Sequence, residues 1–209
     1  VKEEGDVNLN KKEKEIVAYH EGGHALVGTS LTHADPVHKA SIISRGHAGG
    51  YTLAVPDEDK SLHSHLYFRD ELAVFLGGYA SEKLVFGDIT TGPSNDLERA
   101  TAMARNMVTR YGMSRLGART FGKKEELVFL GREMHEERNY SEKTAENIDA
   151  EVTHLIDEAF KRATSILTEK RATLNAIAQA LLERETLEKA EFEKLVAEHA
   201  HTTLASEQA

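Results

Sequence analysis

Two histidines four positions apart, in the stretch AYHEGGHALVG at residues 18–28, place the strongest constraint on how this chain folds. On an α-helix, His20 and His24 differ in direction by about 40°, so both imidazoles reach one point above the helix surface. Glu21 projects about 60° away from His24. This H-E-x-x-H spacing is typical of a helix that binds zinc through two histidines and keeps a carboxylate nearby to take a proton from attacking water.

The five-residue pattern also arises by chance, as two solvent-exposed histidines on a polar helix. Here, however, the motif is flanked on both sides by the apolar residues Val17, Ala18, Tyr19, Ala25, Leu26 and Val27. Polar groups on a mostly buried helix need partners, and a metal supplies them. Because the chain contains no cysteine, any metal must be bound by histidine, aspartate or glutamate.

The motif also contains two adjacent glycines, which weaken a helix. Gly22 points about 180° away from the metal direction, and Gly23 about 80° to one side. We expect Gly22→Ala to stabilise the fold or leave it unchanged, unless another element packs tightly on that face. A side chain at Gly23 is expected to harm the site, because a missing Cβ there lets a backbone or a substrate approach closely.

A catalytic zinc ion usually takes a third protein ligand, and Asp96 is the candidate that the pattern favours. It shares a helical face with apolar residues, so its carboxylate needs neutralisation; the alternative is an acid that interacts with the free N–H groups at a helix start. Glu82 lies at the edge of an apolar stripe. The sequence leaves three roles open for Glu82: a further metal ligand, a carboxylate that orients a histidine, or an exposed acid. The other candidates are His33, His38, His47, His63 and His65, each more simply explained as a surface or structural residue.

The hydrophobic pattern predicts a mainly α fold with a small β-hairpin beside the motif helix and a C-terminal helical bundle. The motif helix spans residues 11–31, with Asn8 or Asn10 as its cap. Two β-rich runs, HKASIISRG and GGYTLAVP, form the hairpin. The other predicted elements are a helix over 65–86, a helix with an Asn95–Glu98 capping box, a short strand at 127–130, a long helix from 141, and helices near 173–182 and 187–198.

The composition of the chain excludes some classes of function. The formal net charge is −9, with 35 acidic and 26 basic residues, which argues against a nucleic-acid-binding protein. No apolar run approaches the roughly 18 residues that a membrane-spanning helix requires, so a membrane is expected to be reached only through segments outside this chain. We expect residues 1–10 to be a linker, 11–140 the catalytic part, 141–200 a helical part of the same domain, and 201–209 a disordered tail.

Ordered motifs along nearly the whole chain resemble the zinc peptidase domain of the FtsH family of membrane-anchored, ATP-dependent proteases. They include KEKEIVAYHEGGHALVG, LGGYASEKLVFG, ITTGPSNDLERATAMARNMVTRYGMS and LLERETL. The resemblance implies that His20, His24 and Asp96 are zinc ligands and that Glu21 is the general base. It implies that Glu82 is an acid next to the ligands.

The same resemblance implies a homo-hexameric ring of peptidase domains beneath an AAA ATPase ring. The peptidase domains are then expected on the cytoplasmic side of a bacterial membrane or on the organellar equivalent. The whole protease is expected to degrade unfolded or misassembled membrane and soluble proteins. This chain contains no G-x-x-x-x-G-K-[ST] phosphate loop, so the ATPase is expected outside it. The chain departs from the family pattern at a few positions, with Gly22 for alanine, Gly49 for an apolar residue, and Tyr79 and Lys83 for arginine and an acid.

The hairpin then acquires a role, since an extended substrate can add to an exposed strand through backbone hydrogen bonds. The predicted substrate strand comprises Gly50, Tyr51, Thr52 and Leu53; alternatively, the hairpin only braces the motif helix. Two other functions remain open on the residues alone. One is a binding or assembly module that has lost activity, against which the intact set of ligands and base argues, and the other is a helical bundle without metal.

Overall fold

A computed structural model describes residues 10–43, 49–56, 62–122 and 139–200. The predicted strand at 127–130, most of the predicted linker and the predicted tail lie outside these residues. The mainly α class with a small sheet beside the motif helix is confirmed. The elements are α1 (Lys11–Ser30), β1 (Val37–Ser41), β2 (Tyr51–Ala54), α2 (His65–Phe75), α3 (Gly77–Phe86), α4 (Ser94–Thr109), α5 (Glu142–Glu169), α6 (Arg171–Arg184), β3 (Thr186–Glu188) and α7 (Lys189–Ala200). No helix in the described ranges is both long and apolar enough to cross a bilayer.

The motif helix α1 begins at a capping box, as one of the two predicted caps allows. The side chain of Asn10 accepts a hydrogen bond from the Glu13 amide at 3.0 Å, and the Asn10 amide donates to the Glu13 carboxylate at 2.8 Å. Every residue from Ala18 to Gly28 is buried. The second half of α1 is therefore a central helix covered on all sides, and its polar residues must find partners within the protein.

The single helix predicted over 65–86 is wrong, because the structure has two helices that meet at Leu76. Glycines destabilise a helix interior, and here Gly77 and Gly78 follow the break. They let α3 lie directly against α1. A Cβ at Gly77 would lie 2.9 Å from the carbonyl oxygen of Gly23, which no real side chain tolerates. The break thus orients α3 toward the motif helix.

The predicted capping box at Asn95 and Glu98 is also wrong. Helix α4 begins two residues earlier than that box requires, with Pro93 instead of Asn95 as the N-cap and no side-chain cap. The Leu97 amide donates to the Pro93 carbonyl at 2.9 Å. Proline suits a helix start because its fixed φ is close to helical and it lacks the N–H that would be unpaired there. This start places Asp96 in the first turn of α4.

The sheet has the order β2-β1-β3, and all its pairs are antiparallel. The predicted hairpin is present as β1 and β2, with Ala40 opposite Thr52. Strand β3 was not predicted, and part of it falls where a helix was expected. Three residues are too few for an alternating pattern to identify a strand. In the described part of the chain β2 pairs only with β1, so its other edge is open.

The C-terminal helices pack on the elements that hold the site. Ser141 caps α5 by accepting from the Thr144 amide at 3.3 Å. Helix α5 lies against α2, α3 and α4, while α6 covers the back of α1. Tyr79, which stands where the family pattern has arginine, packs edge to face against Phe160 of α5, with the ring centroids 5.6 Å apart. The predicted division into catalytic and C-terminal parts remains a prediction.

Candidate metal centre

His20 and His24 lie side by side on α1, as their spacing predicts. Both are buried, and their Nε2 atoms are 3.0 Å apart. The ring of His20 rests on the backbone of α3, since a Cβ at Gly78 would overlap its imidazole. The close approach of α3 therefore fixes where this ring points.

The other ring nitrogen of each histidine has its own partner. His24 Nδ1 is 2.7 Å from the carbonyl oxygen of Val74, which only accepts, so Nδ1–H donates to it. His20 Nδ1 is 2.8 Å from Glu82 Oε1. With both Nδ1 atoms donating, the neutral form of each ring would present the lone pair of Nε2 to the same point.

Glu82 is buried, so it is not the exposed acid that the sequence left open. Its Oε2 accepts a hydrogen bond from the Thr90 amide at 2.8 Å, in the loop that leads to α4. Burial raises the pKa of Glu82, but the hydrogen bonds from His20 and Thr90 outweigh it, so the pKa is lowered and the group is ionised. Glu82 therefore connects His20 with the segment that positions Asp96.

Asp96 extends from the first turn of α4 to the two histidines. Its Oδ2 lies 3.3 Å from His20 Nε2 and 3.2 Å from His24 Nε2. Burial raises the pKa of this carboxyl, but the hydrogen bonds and charges of the two histidines lower it by a larger amount, so the pKa lies below its usual value. Within the described ranges this is the one group of three potential ligands whose atoms lie within 4.8 Å of one another.

These three atoms fit a zinc ion in number, type and spacing. A tetrahedral ion with bonds of about 2.0–2.2 Å holds its ligand atoms roughly 3.3–3.6 Å apart, close to the 3.0–3.3 Å observed. Two imidazole lone pairs and a carboxylate oxygen repel one another unless a cation lies between them. In metal-free protein, a proton on His20 would take the place of this cation. Burial lowers the pKa of His20, but the hydrogen bonds with Asp96 and Glu82 outweigh burial and raise the pKa to about 10.

Glu21 lies beside this group without joining it. The side chain is buried, and its Oε2 accepts a hydrogen bond from the Thr52 hydroxyl at 2.7 Å. Glu21 is absent from the set of clustered ligand atoms in the described residues. This is the position that a proton acceptor needs, near the metal centre but not bound to the metal.

A cleft of about 1150 Å³ runs past the metal centre. All four predicted substrate-strand residues line it: Gly50, which precedes β2, and Tyr51, Thr52 and Leu53 of β2. Val74, Phe75 and Met103 also line the cleft and add apolar surface. Strand β2, which has an unpaired edge in the described part of the chain, therefore borders this cleft.

Several contacts of the site have no counterpart in the sequence analysis. The Val74 carbonyl and the Thr90 amide are backbone groups, and every residue has them, so no sequence pattern identifies them. The hydroxyl of Thr52 falls within the predicted strand, but its contact with Glu21 depends on how the strand is placed. The other histidine candidates that the structure describes, His33, His38, His63 and His65, lie outside the group of clustered ligand atoms. His47 is outside the described residues.

Comparison with known proteins finds similarity over most of the chain. A family model described as peptidase family M41 matches residues 7–195. The ATP-dependent zinc metalloprotease FtsH 1 of Sphaerobacter thermophilus is 55% identical over 188 residues, which are 90% of this chain and 29% of that protein. The protein of the same name from a Thermoanaerobacter species is 52% identical, over 90% of this chain and 31% of its own length.

The ATP-dependent zinc metalloprotease FtsH of Slackia heliotrinireducens is 50% identical over 202 residues, which are 96% of this chain and 26% of that protein. The chain thus spans less than a third of the length of these curated relatives. The similarity covers the motif helix, the hairpin and the C-terminal helices alike.

Proposed function

Because the chain belongs to peptidase family M41, and is therefore a hydrolase of the metalloendopeptidase class, we propose that it cleaves peptide bonds at the metal centre described above. The proposed zinc ligands are His20, His24 and Asp96. The proposed general base is Glu21. The observation that carries the proposal is the convergence of two Nε2 atoms and one carboxylate oxygen, with a second carboxylate, that of Glu21, close to His20.

Zinc held there would supply positive charge beside the peptide carbonyl and make a water molecule more acidic. The protein's own groups do the rest. Glu21 accepts a proton from the attacking water and holds it within reach of the leaving nitrogen. Glu82 keeps the His20 ring oriented through Nδ1, and the Val74 carbonyl does the same for His24.

We propose that a polypeptide substrate binds in the cleft as an added strand along β2. The edge of β2 is open in the described part of the chain, and its residues line the cleft next to Glu21. Backbone hydrogen bonds of this kind are independent of sequence, so the expected specificity is broad. The hairpin also braces α1, since Thr52 bonds to Glu21; the two roles suggested by the sequence are compatible.

For the full-length protein we propose ATP-dependent proteolysis, the activity in the relatives' names. From the family resemblance we propose that its substrates are unfolded or misassembled membrane and soluble proteins. An AAA ATPase module, a membrane anchor and a homo-hexameric assembly would then belong to the whole protein, with the peptidase on the cytoplasmic or equivalent side. The support is the identity of 50–55% to proteins of which this chain spans about a third or less.

Zinc dependence tests the proposal. We expect the purified chain to bind about one zinc ion, to lose peptide hydrolysis on chelation, and to regain it when zinc is restored. Asp96→Asn should weaken zinc binding by more than the roughly 10- to 100-fold typical of changes around the ligands. The readouts are metal analysis, zinc titration and initial rates on a fluorogenic peptide.

Glu98→Gln is the matched control, because Glu98 is an exposed acid on the same helix. It should bind zinc and cleave peptide like the unchanged chain. Zinc binding that is identical in the Asp96 and Glu98 variants would contradict the assigned ligand. A chain that binds zinc and cleaves no peptide would favour the inactive binding module instead.

A further inference from the structure

We propose that Thr52 is a positioning residue for Glu21: its hydroxyl holds one carboxylate oxygen and so presents the other to the attacking water. The inference rests on the proposed peptidase function. It assigns to the hairpin a part in the reaction beyond substrate binding, because the residue that holds the base belongs to the strand on which the substrate is proposed to lie.

The contact between the two side chains is short and specific. Thr52 Oγ1 lies 2.7 Å from Glu21 Oε2 and 3.2 Å from the Glu21 carbonyl oxygen. A hydroxyl has a single proton, and the shorter distance to an acidic acceptor identifies Oε2 as its main partner. In the described part of the chain no lysine or arginine forms an ion pair with Glu21, so this hydroxyl is its principal hydrogen-bond donor there.

The backbone around Thr52 is held firmly in place. Thr52 pairs with Ala40 in the middle of the β1–β2 ladder. Two residues earlier, Gly50 lies so close to α1 that a Cβ would be 2.8 Å from Val17 Cγ1 and 3.0 Å from Glu21 Cγ. Strand β2 is thus packed directly on the turn of α1 that carries the base.

Threonine suits this task because of its shape. A β-branched side chain has few χ1 rotamers in a strand, so the hydroxyl stays aimed at Glu21 without a large loss of side-chain entropy. A glutamate has three side-chain torsions and samples several orientations unless it is held. Fixing one oxygen keeps the second in the geometry that proton transfer requires, which affects the chemical step more than binding.

Thr52→Val tests this, since valine keeps the shape and loses the hydroxyl. We expect kcat for a fluorogenic peptide to fall about 10- to 100-fold, the effect of losing a hydrogen bond to a charged group. KM should stay within about 3-fold, and zinc stoichiometry should not change. Thr52→Ser, which restores a hydroxyl, should recover kcat to within about 3-fold of the unchanged chain.

Thr101→Val is the matched control, because Thr101 is an exposed threonine on α4 whose hydroxyl bonds only to the Leu97 carbonyl in the described structure. It should leave both kcat and KM unchanged. A Thr52→Val variant with full kcat, or one in which only KM rises, would overturn the positioning role. So would a failure of Thr52→Ser to restore kcat.

A second readout requires no zinc and no turnover. In zinc-free protein, Thr52→Val should lower the melting temperature by about 2–4 °C, the shift that the loss of one such bond produces in a chain of this size. In a Glu21→Ala background the same change should have almost no effect, because the acceptor is gone. Equal shifts in both backgrounds would overturn the contact. An unchanged chain without zinc-dependent hydrolysis would contradict the proposed function and this inference together, whereas an active Thr52→Val variant would contradict only the inference.

Discussion

Glu21→Gln is expected to remove peptide hydrolysis and to keep both zinc and fold. Glutamine has the size of glutamate and still accepts the Thr52 hydroxyl through its carbonyl oxygen, but it does not take a proton from water. Loss of a general base costs about 100- to 10,000-fold in rate, so the activity should approach the assay background. Initial rates on a fluorogenic peptide measure the loss, and metal analysis checks that about one zinc ion per chain remains.

Glu15→Gln is the control for this change, because Glu15 is an exposed glutamate on the same helix. It should cleave peptide at the unchanged rate. Full activity of the Glu21 variant would show that another group accepts the proton. Loss of zinc from that variant would place Glu21 among the ligands instead.

Gly23→Ala is expected to produce the largest loss of stability among the changes considered. A Cβ at this position would lie 2.5 Å from the Gly77 carbonyl oxygen and 2.6 Å from Ser81 Cβ. The first of these atoms is backbone, so the overlap is relieved only when α1 and α3 move apart. Such overpacking costs about 3 kcal/mol or more, and it also separates His20 from Glu82. Thermal and urea unfolding of zinc-free protein measure the loss.

Gly22→Ala is the matched control one residue away. A Cβ there meets Ile177 Cγ2 at 3.3 Å and Leu174 Cδ1 at 3.5 Å, so α6 covers this face, yet a shift of a few tenths of an ångström in one side chain relieves the contact. Alanine also gains about 0.5–1 kcal/mol of helix propensity. We therefore expect a net change within about 1 kcal/mol. Equal losses in the two variants would contradict this account of how α1 is packed.

Local patterns in the sequence predict the parts of this fold that depend on neighbouring residues. The candidate caps Asn8 and Asn10 and the helical period identify α1, and the spacing of His20 and His24 places both rings on one face. Asp96 stands out because its carboxylate lies on an apolar helical face. The structure brings it to His24 from 72 positions away in the chain.

Contacts between distant segments escape such patterns. The break between α2 and α3 depends on how closely Gly77 approaches Gly23, and a single helix fits the same apolar stripe. Strand β3 forms because it pairs with the edge of β1, and a pattern of three residues does not predict that pairing. The contact of Thr52 with Glu21 likewise follows from packing of the hairpin on α1, since propensity and period describe each element alone.

The position of zinc in crystals of the purified chain decides whether the metal centre is as described. Diffraction data collected at the zinc absorption edge should give one strong anomalous peak, about 2.0–2.2 Å from Nε2 of His20, Nε2 of His24 and a carboxylate oxygen of Asp96. Crystals grown with zinc that show no peak among these three side chains, or a peak bound by other residues, would contradict the account.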